Sequence, residues 1–209
     1  MAKGVKRPRS KLAGGLQLFC QAGVQLAAGR SLDVVTQVQP VAAFYHLREE
    51  MGRYAHAAYV VELLDALTDE GDPDAVIFDL LVATLEGLDG GGDPATLAQG
   101  FELKLLGRLG YGPEMDVCVS CGRKVEGEEA GFSAPRGGVV CGRCRRAEGG
   151  SVLSPAALRA MRELRELAPE ELAKRRLSGA AREEVGRLMR AFEEYHLQRQ
   201  LRSAEFLSR

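Results

Sequence analysis

The sequence lacks any run of about 18 apolar residues, which excludes a membrane-spanning helix of the usual length. It also lacks an apolar segment directly after its basic N-terminus, so we expect no secretory signal peptide. Together the two absences predict a cytoplasmic protein. In that compartment cysteines stay reduced, and clustered cysteines hold a metal ion more often than they form disulfides.

Motifs of known catalytic sites are absent as well. The chain has no H-E-x-x-H, no Ser-His-Asp order and no dinucleotide-binding fingerprint, and its glycine run at 90–92 lacks the lysine and hydroxyl of a phosphate-binding loop. Its histidines are scattered, and none stands in a catalytic pattern with an acidic residue. We expect His46, His56 and His196 at the surface or in helix packing, and nothing in the sequence indicates an enzyme.

The composition is that of an ordinary globular protein, with 45% hydrophobic and 27% charged residues in a chain of 209. The net charge of −1 hides an asymmetry, because residues 1–31 carry six basic residues and no acidic one, and the remainder sums to −7. The basic residues either contact an anion, most often nucleic acid, or form a solvated tail. Five of them, the N-terminal cations, stand close together: Lys3, Lys6, Arg7, Arg9 and Lys11.

Hydrophobic periodicity divides the chain into a short β region and a longer helical region. From residue 16 to residue 38 apolar and polar residues alternate between glycines, which is typical of short antiparallel strands. Pro40 should end this region, because proline has no N–H to donate to a sheet. From about residue 42 the apolar spacing changes to three and four, which indicates amphipathic helices.

Glycine, proline and capping signals delimit these helices. We expect a first helix over about 42–68, a second with Ile77 to Leu88 on its apolar side, and a third that begins at Pro94. A fourth begins at Ser154 and Pro155 and has an apolar stripe that reaches Ala168, and a short fifth begins at Pro169. The last helix should run from Ser178 to about Leu201, with Tyr195 facing inward.

Four of the five cysteines form two C-x-x-C pairs with nineteen residues between them: Cys118 with Cys121, and Cys141 with Cys144. A glycine follows a cysteine of each pair, where a tight turn must tolerate an unusual φ. The spacing agrees with the four-cysteine zinc pattern. Four protein ligands leave no open coordination position, so we expect one structural zinc ion per chain.

Other chemistries stay open for these cysteines: iron at the same ligands, two disulfides, or a redox-active pair. The surrounding cations either contact phosphate or, as we favour, offset the −2 charge of a four-thiolate zinc centre. They are Arg123, Lys124, Arg143, Arg145 and Arg146. The fifth cysteine, Cys20, lies in an alternating segment and should be a small apolar residue.

The expected fold class is α+β. Residues 1–40 form a small antiparallel β region, and residues 41–113 and 151–209 form a mainly α-helical domain. Residues 114–150, which have too few periodic apolar residues for a core of their own, form an inserted four-cysteine zinc finger held by its metal.

This order of elements, together with several segments, resembles the RecO family of bacterial DNA repair proteins. Residues 2–12, AKGVKRPRSKL, look like that family's basic strand-loop element, and residues 32–37, LDVVTQ, look like its last barrel strand. Residues 101–113, FELKLLGRLGYGP, resemble the helix that leads into its zinc insert, and residues 118–144 resemble the insert, including Phe132-Ser133 and Gly137-Gly138 before Cys141.

The resemblance implies an N-terminal OB-fold, a helical body and a zinc finger in a non-enzymatic recombination mediator. Such a protein binds single- and double-stranded DNA and anneals complementary strands. It works with RecR at the nucleoid and helps to load the recombinase RecA onto DNA that is coated by single-strand-binding protein. It also binds the tail of single-strand-binding protein. A groove that follows phosphates suits this task, and the N-terminal cations would supply its charge. The alternative is a zinc-ribbon adaptor that binds little DNA.

One departure from the family pattern concerns the start of the chain. Family members carry roughly 30 residues before the Lys-Gly element, which supply the first strands of a five-stranded barrel. Here Met1 lies almost on that element. We therefore expect a partial OB-fold, which would arise from a misassigned start codon, from a fragment or from a reduced domain. This departure bears on the DNA affinity of the chain and not on the identity of its helical body.

Overall fold

The computed structural model describes residues 12, 14–69, 71–126, 129–196 and 203. It confirms the α+β class, because a two-stranded ribbon precedes a helical body that a small three-stranded sheet interrupts. In chain order the elements are β1 (Cys20–Ala27), β2 (Val34–Ala43), a 3₁₀ turn (His46–Arg48), α1 (Met51–Leu67), α2 (Ala75–Asp89), α3 (Pro94–Arg108), β3 (Gly131–Ser133), β4 (Gly138–Val140), α4 (Gly142–Glu148), β5 (Ser151–Val152), α5 (Pro155–Glu166), α6 (Pro169–Leu172) and α7 (Gly179–His196). Within the described ranges, no helix is long and apolar enough to cross a membrane.

The N-terminal ribbon is antiparallel and has two register irregularities. The prediction that Pro40 ends the strand is wrong, because Pro40 lies inside β2 opposite Ala22. One register irregularity falls beside this pair. A proline is tolerated at a bulge and in a strand with an open edge, since no ladder hydrogen bond is required from it there.

Two phenylalanines anchor the ribbon in the core. The Phe44 amide donates to the Phe19 carbonyl at 3.1 Å, and the Phe19 ring meets Tyr54 of α1 edge-on with centroids 5.5 Å apart. The prediction of a helix from about residue 42 is therefore wrong at its start. Pairing with β1 keeps the chain extended to Ala43, and α1 begins only at Met51.

Helix α3 lies at the centre of the helical body and contacts α1, α2, α5, α6 and α7. Ten of its 15 residues are buried, so it is enclosed on nearly every side. Side chains of Asp74, Asp93 and Ser154 accept hydrogen bonds from first-turn amides and set the starts of α2, α3 and α5. Each such cap stabilises its helix by about 1 kcal/mol.

Helix α7 packs against α3 and α5. Tyr195 does not face inward as predicted, since it is 54% exposed. His196 is exposed as well, although its ring centroid lies 4.4 Å from that of Phe192, one helical turn earlier. Ala168 is also exposed, because α5 ends at Glu166 and Ala168 caps α6. The remaining residues of the predicted α7 stripe are buried: Val185, Leu188, Met189 and Phe192.

Candidate metal centre

The chain between α3 and α5, residues 109–126 and 129–154, forms the metal layer, which is built around the sheet β4-β3-β5. The first C-x-x-C pair precedes this sheet in sequence. The second pair lies where β4 passes into α4, with Cys141 as the N-cap residue and Cys144 in the first turn of the helix. The N-terminus of a helix favours negative charge, so thiolates suit this position.

The sulfur atoms of the two pairs converge on one point. The Sγ atoms of Cys118, Cys121, Cys141 and Cys144, the four-cysteine cluster, all lie within 4.8 Å of one another. Those of Cys121 and Cys141 are 3.9 Å apart, and all four cysteines are free. A disulfide would bring two sulfurs to about 2.05 Å. The cluster therefore has the arrangement that can hold one metal ion with four protein ligands.

Backbone hydrogen bonds shape the first pair into a tight turn. The Cys118 amide donates to the Arg123 carbonyl, and the Gly122 amide donates to the Cys118 carbonyl, each at 2.8 Å. Gly122 has a φ of +69°, a left-handed conformation that favours glycine. The glycine that follows this pair in the sequence is thus a requirement of the turn.

The cysteines of the cluster differ in acidity. Burial alone would raise the pKa of the Cys118 thiol, but backbone amides of both pairs donate to its sulfur and lower that pKa to about 6. The Cys144 amide likewise lowers the pKa of Cys141. Burial and the neighbouring sulfurs raise the pKa of Cys144 to about 12. A cation between the four sulfurs would allow all of them to ionise.

The cations beside the cluster divide into two groups. Arg146 forms an ion pair with the exposed carboxylate of Glu129. Arg123, Lys124 and Arg143 have exposed side chains. This layer therefore balances part of its positive charge internally and presents part of it to solvent.

An arginine that no sequence pattern marks joins this layer to the helical body. Arg162 of α5 donates to the Met115 carbonyl at 2.6 and 2.9 Å and to the Val125 carbonyl at 2.9 Å. It also pairs with Asp116 at 3.1 Å. Its partners are mostly backbone carbonyls 47 and 37 residues away, so no local spacing could have identified it.

The metal layer and the helical body share one hydrophobic core. Cys118 and Cys144 belong to the same buried cluster as residues of α5 and α7. Phe132 of β3 packs against Phe192 of α7 with ring centroids 6.1 Å apart. The cluster of sulfurs therefore lies at the edge of the main core.

The structure does not bring every predicted site residue to this centre. The N-terminal cations Lys3, Lys6, Arg7, Arg9 and Lys11 lie outside the described residues. His46 Nδ1 lies 3.2 Å from an Asp89 carboxylate oxygen, and His56 Nδ1 lies 2.7 Å from the Gly52 carbonyl oxygen within α1. Cys20 lies in β1, a strand that the alternating pattern predicts, and is half-buried.

Nearly the whole chain matches known protein families and individual relatives. Residues 1–44 match the family described as Recombination protein O N terminal, and residues 48–205 match Recombination protein O C terminal. A DNA repair protein RecO of Symbiobacterium thermophilum is 38% identical over 99% of this chain and 83% of its own length. The DNA repair protein RecO of Pelotomaculum thermopropionicum is 37% identical over 100% of this chain and 81% of its own length. The chain therefore belongs to the RecO family of DNA repair proteins.

Proposed function

We propose that this chain is a recombination mediator that binds single- and double-stranded DNA, anneals complementary strands and helps RecR to load RecA onto single-stranded DNA. The observation that carries the proposal is the match of residues 1–44 and 48–205 to the N- and C-terminal models of one family of DNA repair proteins. It would act without catalysing a covalent reaction, in the cytoplasm at the nucleoid.

The DNA surface in this proposal is the N-terminal cations together with the ribbon that follows them. Lys3, Lys6, Arg7, Arg9 and Lys11 carry five positive charges with no acidic residue among them, which suits a phosphate backbone. The ribbon presents apolar side chains to solvent, including Leu26 at 59% and Val41 at 66% exposure. A positively charged groove that follows the phosphates is what an OB-fold offers to a single strand.

Strand annealing and salt-dependent binding test this function. Fluorescence anisotropy of a labelled single-stranded oligonucleotide should show binding that weakens with salt, and the chain should accelerate annealing of complementary strands. RecA loading onto strands coated with single-strand-binding protein should then require both this chain and RecR. A chain that binds no DNA at low salt would instead be an adaptor that acts through protein contacts alone.

We propose that the ion of the four-cysteine cluster is zinc and that its role is structural. Tetrahedral zinc with Zn–S bonds of about 2.3 Å places its sulfurs about 3.8 Å apart, close to the 3.9 Å between Cys121 and Cys141. Zinc suits four thiolates and needs no redox partner. Metal analysis of the purified chain would separate zinc from iron, the competing ion for such ligands.

The tail of single-strand-binding protein is the proposed occupant of a groove between α2, α3 and α6. This groove has a volume of about 360 Å³. Its apolar residues include Val76, Ile77 and Leu80, and its basic residues are Lys104 and Arg108. A peptide tail needs a few apolar contacts and a cation for its terminal carboxylate. Arg108 is half-exposed and pairs with Asp74 at 2.9 Å, so its charge lies at the rim.

A further inference from the structure

An aromatic and apolar patch lies where the N-terminal ribbon meets α1. Tyr45, between β2 and the 3₁₀ turn, is 64% exposed, and Met51 at the start of α1 is 82% exposed. Leu18, two residues before β1, is 54% exposed, and Tyr54 of α1 is exposed as well. We call these four residues, together with Arg48, the junction patch. Large apolar side chains that gather at a surface indicate an interaction site.

Arg48 and Tyr45 form a stack that faces solvent. The Arg48 guanidinium donates to the Leu18 carbonyl and to Gln17 Oε1, each at 2.6 Å. It also lies over the Tyr45 ring, 5.8 Å from its centroid, within the range of a cation–π contact. Because the two hydrogen bonds fix the guanidinium, this stack is set before any ligand arrives.

Phe19 ties the other side of the patch to α1. Its ring is buried and meets Tyr54 edge-on with centroids 5.5 Å apart, while the neighbouring Leu18 stays exposed. The Phe19 φ of +57° is strained for a bulky residue, and strain of this kind is concentrated at functional sites. Met51 stands three residues before Tyr54, so the two lie on one face of α1.

We propose that the junction patch binds unpaired bases of a single-stranded nucleic acid, with one base stacked on Tyr45 beside Arg48. This inference rests on the proposed DNA-binding function and names the place where the bases would lie. Unpaired bases stack on tyrosine rings and on arginine guanidinium planes, and such stacking tolerates any sequence. In a duplex the bases stack on one another, so a duplex should not use this patch.

The chain leads from the junction patch directly to the N-terminal cations. Lys11 and Leu18 stand seven residues apart in the sequence, which an extended chain spans in about 25 Å at most. Between them the Leu16 amide donates to the Leu12 carbonyl at 3.3 Å, so this segment turns and the actual separation is shorter. A strand whose phosphates meet the cations would therefore bring neighbouring bases to the patch.

Acidic residues beside the junction patch favour bases over phosphates at this place. Glu49 is exposed next to Arg48 in the chain, and Glu50 pairs with Arg53 at 2.8 Å. These carboxylates repel a phosphate, whereas a base carries no charge. The patch should therefore add to the affinity for a single strand without adding to the salt dependence of binding.

Fluorescence anisotropy with the full metal-loaded chain tests this proposal. The probes are a labelled oligothymidylate, an oligomer of the same length made of abasic sites, and a duplex of that length. Tyr45→Ala should weaken binding of the oligothymidylate about tenfold, as loss of one stacked base does. It should leave the slope of log affinity against log salt unchanged, and binding of the abasic oligomer and the duplex unchanged. Tyr45→Phe, which keeps a ring, should bind as the parent does.

Tyr111→Ala is the matched control, because Tyr111 is 60% exposed in the segment between α3 and β3. It should bind all three probes as the parent does. The chain contains no tryptophan, so Tyr45→Trp places a single indole in the junction patch. The oligothymidylate should quench its fluorescence and the abasic oligomer should not. This signal reports stacking even if Tyr45→Ala proves unstable.

Several results would overturn the proposal. They are parental affinity of Tyr45→Ala for the oligothymidylate, an equal loss for the abasic oligomer, and an indole that only the abasic oligomer or neither oligomer quenches. The first would leave the patch as a surface for a protein partner, and the proposed DNA binding would stand. A parent chain that binds no single strand at low salt would instead end the proposed DNA binding and this inference together.

Discussion

The guanidinium of Arg162 and the backbone carbonyl of Met115 are joined by two hydrogen bonds, at 2.6 and 2.9 Å, across the junction between α5 and the metal layer. With the bond to Val125, Arg162 contacts the layer mainly through backbone carbonyls.

Replacement of this arginine should loosen the junction. Arg162→Ala leaves carbonyls of Met115 and Val125 without donors, so we expect the free energy of unfolding to fall by about 2 kcal/mol. Chemical denaturation measures that loss, and hydrogen exchange should increase over 114–126. Arg159→Ala, exposed on the same helix, is the control. A loss within about 0.5 kcal/mol, typical of surface positions, would contradict a clamp role.

Removal of the metal should destabilise the helical body as well as the metal layer. The chain should contain one zinc per molecule, and Cys141→Ser should lower that content while Cys20→Ser leaves it unchanged. Because Cys118 and Cys144 share the main core, we expect calorimetry of Cys141→Ser to show a fall in Tm of about 10 °C or more, at about 2–4 °C per kcal/mol. Full zinc occupancy in that variant would remove Cys141 from the ligand set.

The stability of the protein should fall with rising pH through the buried carboxyl pair. The pKa of Glu102 is raised from its ordinary value of 4.5, first by burial and then by Glu193. Above about pH 4.5 the unfolded chain therefore loses a proton that the folded chain keeps, and stability decreases as pH rises toward the folded-state pKa. Glu102→Gln removes the contribution of Glu102 to this effect.

The measurement is the difference in Tm between Glu102→Gln and the parent at several pH values. We expect the variant to have the higher Tm, and its advantage over the parent to grow from pH 5 to pH 8. Groups remote from this pair titrate equally in both proteins, so the difference reports the buried pair of Glu102 and Glu193. A difference that is constant with pH, or that shrinks as pH rises, would show that Glu102 is ionised in the folded protein.

The N-terminal cations should set the salt dependence of DNA binding. Each neutralised phosphate on a single strand adds about 0.7 to the slope of log affinity against log salt, so replacing Lys6, Arg7 and Arg9 by alanine should flatten that slope by about two units. Binding should weaken equally for all sequences. The exposed cations of the metal layer provide the comparison, with Arg123, Lys124 and Arg143 changed to alanine. If the first triple variant keeps the parent slope, these residues form a solvated tail.

The groove between α2, α3 and α6 should bind a peptide that copies the tail of single-strand-binding protein. Val76→Asp places a charge in the groove and Arg108→Ala removes the rim cation, and each should weaken binding about tenfold, or 1.4 kcal/mol, by calorimetry. Phe78→Ala is the matched control, because Phe78 is exposed on the same helix but does not line the groove. No binding at high micromolar peptide would exclude this groove as the site.

Local patterns in the sequence predict the features that depend on neighbours along the chain. Two C-x-x-C pairs predict a four-sulfur cluster, because two ligands with two residues between them can share one turn. Asp93-Pro94 and Ser154-Pro155 predict helix starts, since a cap and a proline act within one turn. The periodicity of apolar residues distinguishes the ribbon from the helices, because it also depends on residues only a few positions apart.

Local patterns are wrong where distant partners decide the conformation. Phe44 fits the spacing of a helix, yet its amide bonds to Phe19 and it ends the ribbon. Pro40 is a strand breaker by its own chemistry, yet the irregular register of a two-stranded ribbon accommodates it. In both cases the strand partner lies about twenty residues away or more, beyond the reach of any periodicity.

The sequence by itself determined the α+β class, the metal ligand cluster and the family of this protein, because each depends on residue types at short, fixed spacings. Only the tertiary structure decided that Arg162 fastens the metal layer to α5, and that Glu102 of α3 lies beside Tyr59 of α1 and Glu193 of α7. Those arrangements join residues far apart in the chain, and burial gives them their energetic weight, since a polar group enclosed by protein must find its partner there.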